Sequence, residues 1–187
     1  MNLTLDGFMA GPNCELDWHF ETWAPDMAIS LCEQLSKADT IILGRVTYCA
    51  MARYWPGRAA DPSFPREDLA FADMMNSYEK VVFSKSMTTP IWNNSRLVKG
   101  NLRKEILLLK QQEGKDIIMY GSGKLATSLI KLNLIDEYQL WIHPIVLSQG
   151  KPLFSELQNR LSMKLMKLER FNSGVVVLYY ENRGFRN

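Results

Sequence analysis

The stretch from Ile117 to Leu125 constrains this chain more than any other. Ile117-Ile118-Met119-Tyr120 is an apolar run of strand length, read as buried, and Leu125, Ala126, Leu129, Ile130 and Leu132 then recur at helical spacing. Gly121 and Gly123 occupy the junction. Glycine lets backbone approach a ligand closely, and a helix start offers unpaired N–H groups and the positive end of a dipole. The turn therefore reads either as a seat for phosphate, above all a nucleotide diphosphate, or as a tight junction that simply needs glycine.

The same alternation recurs earlier. Pro25 to Lys37 reads as a helix with Ile29, Cys32 and Leu35 on its inner stripe, and Thr40-Ile41-Ile42-Leu43 as a buried strand ending at Gly44. Val46 to Tyr54 reads as a helix, Pro56 to Pro65 as a loop, and Arg66 to Tyr78 as a helix. Val81-Val82-Phe83 and Arg96-Leu97-Val98 read as strands, and Asn101 to Gln112 as a helix capped by Asn101 and stopped by Gly114. From Glu137 the character changes. Tyr138 to Ile142 and Ile145-Val146-Leu147 are strand-like, with His143-Pro144 marking a bend. Ser162 to Phe171 alternates with a phase slip at Met166-Lys167-Leu168, and Asn172-Ser173-Gly174 then turns into the run Val175 to Tyr180. The pattern predicts one α/β domain over residues 1–187: a three-layer αβα arrangement whose mixed, mostly parallel sheet ends in an antiparallel hairpin.

Composition narrows the function classes. The 187 residues are 47% apolar and 22% charged with a net charge of +2, so there is no strong pull toward nucleic acid or membrane. Cys14, Cys32 and Cys49 lack any CxxC spacing, and His19 and His143 are far apart, so neither a disulfide framework nor a metal site is expected. Three thiols without a leader-like segment suit a reducing cytoplasm.

Gly121 to Ala126 formally fits G-x-G-x-x-A. The match falls late in the chain, and Asp136 and Glu137 precede the next strand instead of closing one, which argues against the dinucleotide fold of that fingerprint. Other strand ends matter as much. Gly44-Arg45-Val46-Thr47 and Ser84-Lys85 place cations and hydroxyls at the carboxyl ends of strands, where open α/β sheets bind ligands. Gly44, Arg45, Thr47, Ser84, Lys85 and the turn Gly121, Ser122, Gly123, Lys124 and Leu125 would meet in one nucleotide crevice, with Arg45 able to take a phosphate bidentately. Asp6, Asp17 and Asp26 are candidate catalytic carboxylates, or respectively a turn former, a loop charge and a helix-dipole residue. Trp18 and Trp55, like Trp23 and Tyr54, are candidates for stacking on a flat substrate, or for packing.

In order, Leu5-Asp6-Gly7-Phe8-Met9-Ala10-Gly11 with Leu16-Asp17-Trp18, Leu43 to Tyr48, Tyr54-Trp55-Pro56, Val81 to Lys85, Ile117 to Gly123, Leu134 to Tyr138 and Gly150 to Phe154 resemble one family. It is the carboxyl-terminal reductase domain of the bifunctional riboflavin-biosynthesis deaminase–reductase, and the resemblance is to its stand-alone members. It implies a dihydrofolate-reductase-like fold and NADPH as hydride donor. By motif, Arg45 and Thr47 would hold phosphates of the adenosine half. Ser84 and Lys85 would lie near the ribose and its 2′-phosphate, Gly121 to Leu125 would cradle the diphosphate, and the Asp6–Gly11 loop would lie near the nicotinamide. The family carries more residues before the Asp-Gly turn, so the first strand is expected to be clipped. Asp26 lies near the carboxylate that grips the pterin in dihydrofolate reductases, and Arg58 resembles the arginine that binds the folate tail. The resemblance implies reduction of a small heterocyclic substrate, a ribosylamino-pyrimidine first and dihydrofolate second, with protonation from water or a nearby carboxylate. It also points to a homodimer. The non-enzymatic alternative is a nucleotide-binding protein without turnover.

Overall fold

The unbroken apolar run at Thr40 to Leu43 becomes the centre of a parallel sheet, as expected for a strand covered on both faces. The computed structural model describes residues 1–61, 64–65, 68–155 and 157–186. In chain order the elements are β1 (Asn2–Thr4), β2 (Phe8–Ala10), a 3-10 turn (Asp17–His19), α1 (Pro25–Ser36), β3 (Ala38–Gly44) and α2 (Arg45–Tyr54). A second 3-10 segment (Trp55–Ala60), α3 (Leu69–Ser77), β4 (Glu79–Phe83), β5 (Ser95–Val98), α4 (Leu102–Lys110) and β6 (Asp116–Met119) follow. The chain ends with α5 (Gly123–Lys131), β7 (Glu137–His143), β8 (Lys151–Pro152), β9 (Arg160–Arg170) and β10 (Val176–Arg186). These form two compact units, Met27–Leu125 and Met1–Asp26 with Ala126–Asn187. No helix among the described residues is long and apolar enough to cross a membrane.

The unit of residues 27–125 is built on an all-parallel sheet in the order β5-β4-β3-β6. Leu35, Ile41, Leu43, Met75 and Val82 form its core with Tyr48 and Trp92. The inner stripe of α1 differs from the expected one: Leu35 is buried, but Ile29 is 60% exposed, and Met27, Ala28, Ser30 and Gln34 take the covered side. Strand β6 is an edge of this sheet and only half-buried, where a buried strand was expected. Part of the expected Pro56–Pro65 loop is a 3-10 turn, because Pro56 sits in its first turn where a missing N–H costs nothing. Pro62 and Ser63 of that loop, and Arg66 and Glu67 at the expected start of the next helix, lie outside the described residues. Asn101 caps α4 as expected, its Oδ1 accepting from Lys104 N at 3.1 Å.

The other unit carries a sheet in the order β1-β7-β10-β9, parallel at β1–β7 and antiparallel elsewhere, and a short antiparallel β2–β8 ladder. The terminal hairpin is present, and Gly174, at φ +86°, closes its turn with an N–H bond to Phe171 O at 3.0 Å. The phase slip has a physical cause. Tyr179 pairs with Lys167 and Tyr180 with Leu165, so Met166 is the extra residue of a β-bulge. Trp141 stacks on Phe171 at 5.3 Å, beside buried Val175 and Val177. Ile145-Val146-Leu147 is not a strand. Asp6 captures the N–H groups of Leu147 (3.3 Å) and Ser148 (2.8 Å), which fixes this segment as a loop.

Sequence reading did not single out Lys80. It lies on β4 and is fully buried, and its Nζ donates to the carbonyls of Met75 (2.9 Å), Asn76 (2.9 Å) and Tyr78 (2.7 Å), closing the carboxyl end of α3. It also stands 4.7 Å from the Trp92 ring centre. Burial pushes the ammonium down to about 8. The unfolded chain then holds this proton between pH 8 and 10.5 while the folded chain has lost it, so stability rises with pH across that window. The gain is about 3 kcal/mol for a shift of this size. Denaturant unfolding between pH 8 and 10 should show a positive slope that Lys80→Met abolishes; an unchanged slope would refute the assignment.

Candidate nucleotide-binding site

In the parallel sheet of residues 27–125, β3 lies between β4 and β6, with Gly44 opposite Phe83 and Ile42 opposite Met119. The carboxyl ends of these three strands are therefore neighbours: Gly44 ends β3 and Arg45 begins α2, Ser84-Lys85 follows β4, and Gly121-Ser122 lies one residue beyond the end of β6. Parallel pairing brings together what the sequence left as three separate turns.

The junctions after β3 and β6 are joined by one hydroxyl. Ser122 Oγ accepts from Gly44 N at 2.9 Å and donates to Thr47 Oγ1 at 2.9 Å. Gly121 and Ser122 both have left-handed backbone, at φ +61° and +62°, which is uncommon for serine and marks a built turn. A Cβ on Gly44 would lie 2.4 Å from Ser122 Oγ, and one on Gly121 would lie 3.1 Å from the Thr47 side chain. Close approach thus favours glycine at 44, and the left-handed backbone with a tight approach favours it at 121. Helices α2 and α5 start at this point, neither has an acidic residue in its first turn, and α2 has no side-chain cap. Their first backbone N–H groups and positive dipole ends favour an anion. Arg45, the first residue of α2, is exposed, as are Lys85 and Lys124.

Other predicted residues take more local parts. Ser84 Oγ accepts from Ser86 N (3.3 Å) and Met87 N (3.0 Å), so it braces the turn that presents Lys85. The Leu125 side chain is buried and packs at the junction, its Cβ 3.8 Å from where a Gly44 Cβ would stand. Trp55 is half-buried, edge-on to Tyr54 at 4.9 Å and against Phe71 at 5.2 Å, which is packing rather than an open stacking face. Arg58 is engaged by the Tyr54 ring at 4.0 Å and by Asp61 at 3.0 Å. Tyr120 precedes the turn, and burial raises its hydroxyl above the ordinary tyrosine value.

Asp6, Asp17, Asp26 and Trp18 belong to the other unit. Asp6 accepts from Thr4 Oγ1 at 2.6 Å and from the amides of Ser148 and Leu147, and these bonds hold its carboxyl below the usual range. It is a loop brace and a poor proton donor. Asp17 opens the 3-10 turn and is exposed. Asp26 lies in the first turn of α1, where its Oδ2 accepts from Asn172 N and Nδ2, both at 3.1 Å, while Oδ1 is buried without a partner. Trp18 is 3% exposed and offers no face to a substrate; Phe20 and Trp23, nearby in sequence, are the exposed rings. Among the described residues no group of His, Cys, Asp and Glu is arranged to hold a metal ion, and Cys14, Cys32 and Cys49 are free thiols.

Comparison with known proteins places the chain in a family. The chain belongs to the RibD C-terminal domain family, whose model matches residues 1–177. These reductase domains are oxidoreductases that use a nicotinamide cofactor. The chain is 37% identical over 182 residues to the uncharacterized protein YyaP of Bacillus subtilis (strain 168), covering 97% of this chain and 92% of that one. A solved protein named for riboflavin biosynthesis, from Shewanella sp. PV-4, is 26% identical with a TM-score of 0.73, covering 98% of this chain and 96% of the other. The same α/β fold recurs in the Thermotoga maritima deaminase/5-amino-6-(5-phosphoribosylamino)uracil reductase. There the TM-score is 0.65 at 14% identity, covering 97% of this chain and 54% of the larger protein.

Because Ser122 Oγ serves two partners at once, Ser122→Ala and Thr47→Val should be non-additive. A double-mutant cycle read by thermal or urea unfolding should give a coupling of about 1 kcal/mol. Strict additivity would show that the hydroxyl pair does not join the two junctions.

Proposed function

We propose that this chain is an NADPH-dependent reductase of a small nitrogen heterocycle, in the manner of the ribosylamino-pyrimidine reduction for which the Thermotoga relative is named, and that it works in the cytoplasm. The observation that carries the reading is the Gly44–Ser122–Thr47 stitch. It joins the starts of α2 and α5 at adjacent strand ends, where a side chain on Gly44 would run into Ser122 and Gly121 takes a left-handed backbone. A diphosphate fits such a seat, since it takes backbone N–H donors from both helices and needs close backbone approach. Arg45 and Lys85 are the cations for the phosphate that distinguishes NADPH from NADH.

When bound, the nicotinamide supplies a hydride. The chain's own residues hold the carrier through the turn at 121–123 and α2, and so convert a bimolecular encounter into an oriented one. Asp6 is committed to its loop as a carboxylate, so water is the proton source this reading selects.

Titration with NADPH while following nicotinamide fluorescence should show saturable binding. Subsequent addition of a ribosylamino-pyrimidine should oxidise the bound NADPH, whereas a pterin should not. Binding without oxidation by either acceptor would leave a nucleotide-binding protein, and no binding would refute the reading. Arg45→Ala should weaken NADPH by roughly tenfold or more, the loss expected for a hydrogen bond to a charged group, and leave NADH nearly unchanged. Equal losses for both would refute the phosphate assignment.

We also propose a homodimer. Strand β9 is a free edge of its sheet, and Leu165, Met166 and Leu168 along it are about half exposed, which suits pairing with a second copy. Light scattering coupled to size exclusion should give twice the mass of the chain, and a monomer mass would count against it.

A further inference from the structure

His143 ends β7 opposite Thr4 of the parallel strand β1, and it belongs to none of the turns that build the nucleotide seat. It is 1% exposed. Its Nδ1 meets Thr22 Oγ1 at 2.6 Å, and its Nε2 is buried with no hydrogen-bond partner. Trp18, itself buried, stands edge-on to the imidazole at 5.2 Å and 85°, and its Nε1 is likewise buried and unpartnered. One imidazole therefore touches two points, Trp18 and Thr22, of a segment whose only regular structure is a single 3-10 turn. The same segment carries Phe20 (68% exposed) and Trp23 (43% exposed).

We infer that His143 is a positioning residue: its uncharged ring clamps residues 12–24, through Trp18 and Thr22, onto the carboxyl end of β7, and protonation of that ring releases the segment. With the ring neutral and its proton on Nδ1, that N–H donates to Thr22 Oγ1, whose own hydroxyl turns to the His19 carbonyl at 3.4 Å, and Nε2 carries no proton to place. An imidazolium has N–H donors on both nitrogens, and the second would have no acceptor, because Trp18 Nε1 is a donor only. A buried cation with an unpaired donor is costly in the clamped state and not in an opened, solvated one.

Among the described residues no neighbouring charge offsets this. The 3-10 turn brings His19, whose ring lies 6.2 Å away, and Asp17, which is exposed and acts on His19. Strand β1 brings the Met1 amino group, and β10 brings the uncharged Val176 beside Ile142. Burial pushes His143 down to about 4, with His19 and the Met1 amine pushing the same way. The folded value lies below the unfolded one, so the clamp is intact above pH 6.5 and is progressively opposed as the pH falls from 6.5 toward 4. None of this depends on the cofactor or substrate, so it can fail while the reductase reading stands, and the reverse.

Hydrogen exchange followed by mass spectrometry on the whole chain, corrected for intrinsic rates, tests it. Between about pH 7 and pH 4.5, protection of a peptide covering residues 12–24 should fall by roughly tenfold or more, as linkage allows up to tenfold per pH unit below the unfolded value. A peptide covering residues 38–44 should not follow. His143→Asn, neutral throughout, should remove the pH step, and Thr22→Val should lower protection of 12–24 at neutral pH while sparing 38–44. Should His143→Asn fail to fold, Thr22→Val and Trp18→Phe decide. Exchange of 12–24 in step with 38–44, a pH step that survives His143→Asn, or a Thr22→Val variant like wild type would each overturn the inference.

Discussion

The hydroxyl of Ser122 lies between the amide of Gly44 and the hydroxyl of Thr47, and the proposed cofactor seat depends on it. A strand and the helix after it share one turn, and each turn alone is an ordinary junction. Two such turns become a site when something holds their helix starts in register. Here that part is played by one side chain, 78 residues away in sequence from the amide it accepts from. The left-handed backbone at Ser122 aims the hydroxyl, and the bare Cα of Gly44 leaves it room. Replacing either changes the spacing of two helix dipoles together, and that is a different effect from deleting a phosphate contact.

Much of this was legible in the sequence because parallel strands announce themselves. Thr40 to Leu43 and Val81 to Phe83 are apolar on both faces, and the residues after them carry the glycine, cation and hydroxyl pattern expected at strand ends. The broken alternation at Met166-Lys167-Leu168 was visible in the sequence, and the strand register identifies it as a bulge at Met166. The capping of α4 by Asn101 followed from local chemistry alone.

What was not legible depended on partners distant in sequence. Ile145-Val146-Leu147 has strand composition, but the amides of Leu147 and of Ser148 after it are taken by a carboxylate more than 140 residues earlier. The same bond turns Asp6 from a candidate acid into a brace. Trp18 and Trp55 illustrate a second limit. A tryptophan near a proposed site looks the same in sequence whether its face is open or packed, and here the first is buried against His143 and the second lies among Tyr54, Phe64 and Phe71. Ile29 on α1 missed its assigned face because the true stripe is offset by about one residue, a shift of about 100° around the helix.

Lys80 has a consequence for the order in which the sheet assembles. Its ammonium lies inside the unit of residues 27–125, and its three hydrogen bonds go to carbonyls at and just beyond the end of α3. A β4 strand that docked beside β3 before α3 had formed would carry a dry charge with no acceptors, which costs several kcal/mol. The favourable route forms the helix end and docks the strand in one step. Lysine in a central strand thus makes the core of this unit close cooperatively, and disfavours compact states in which the sheet is present and the helix is not.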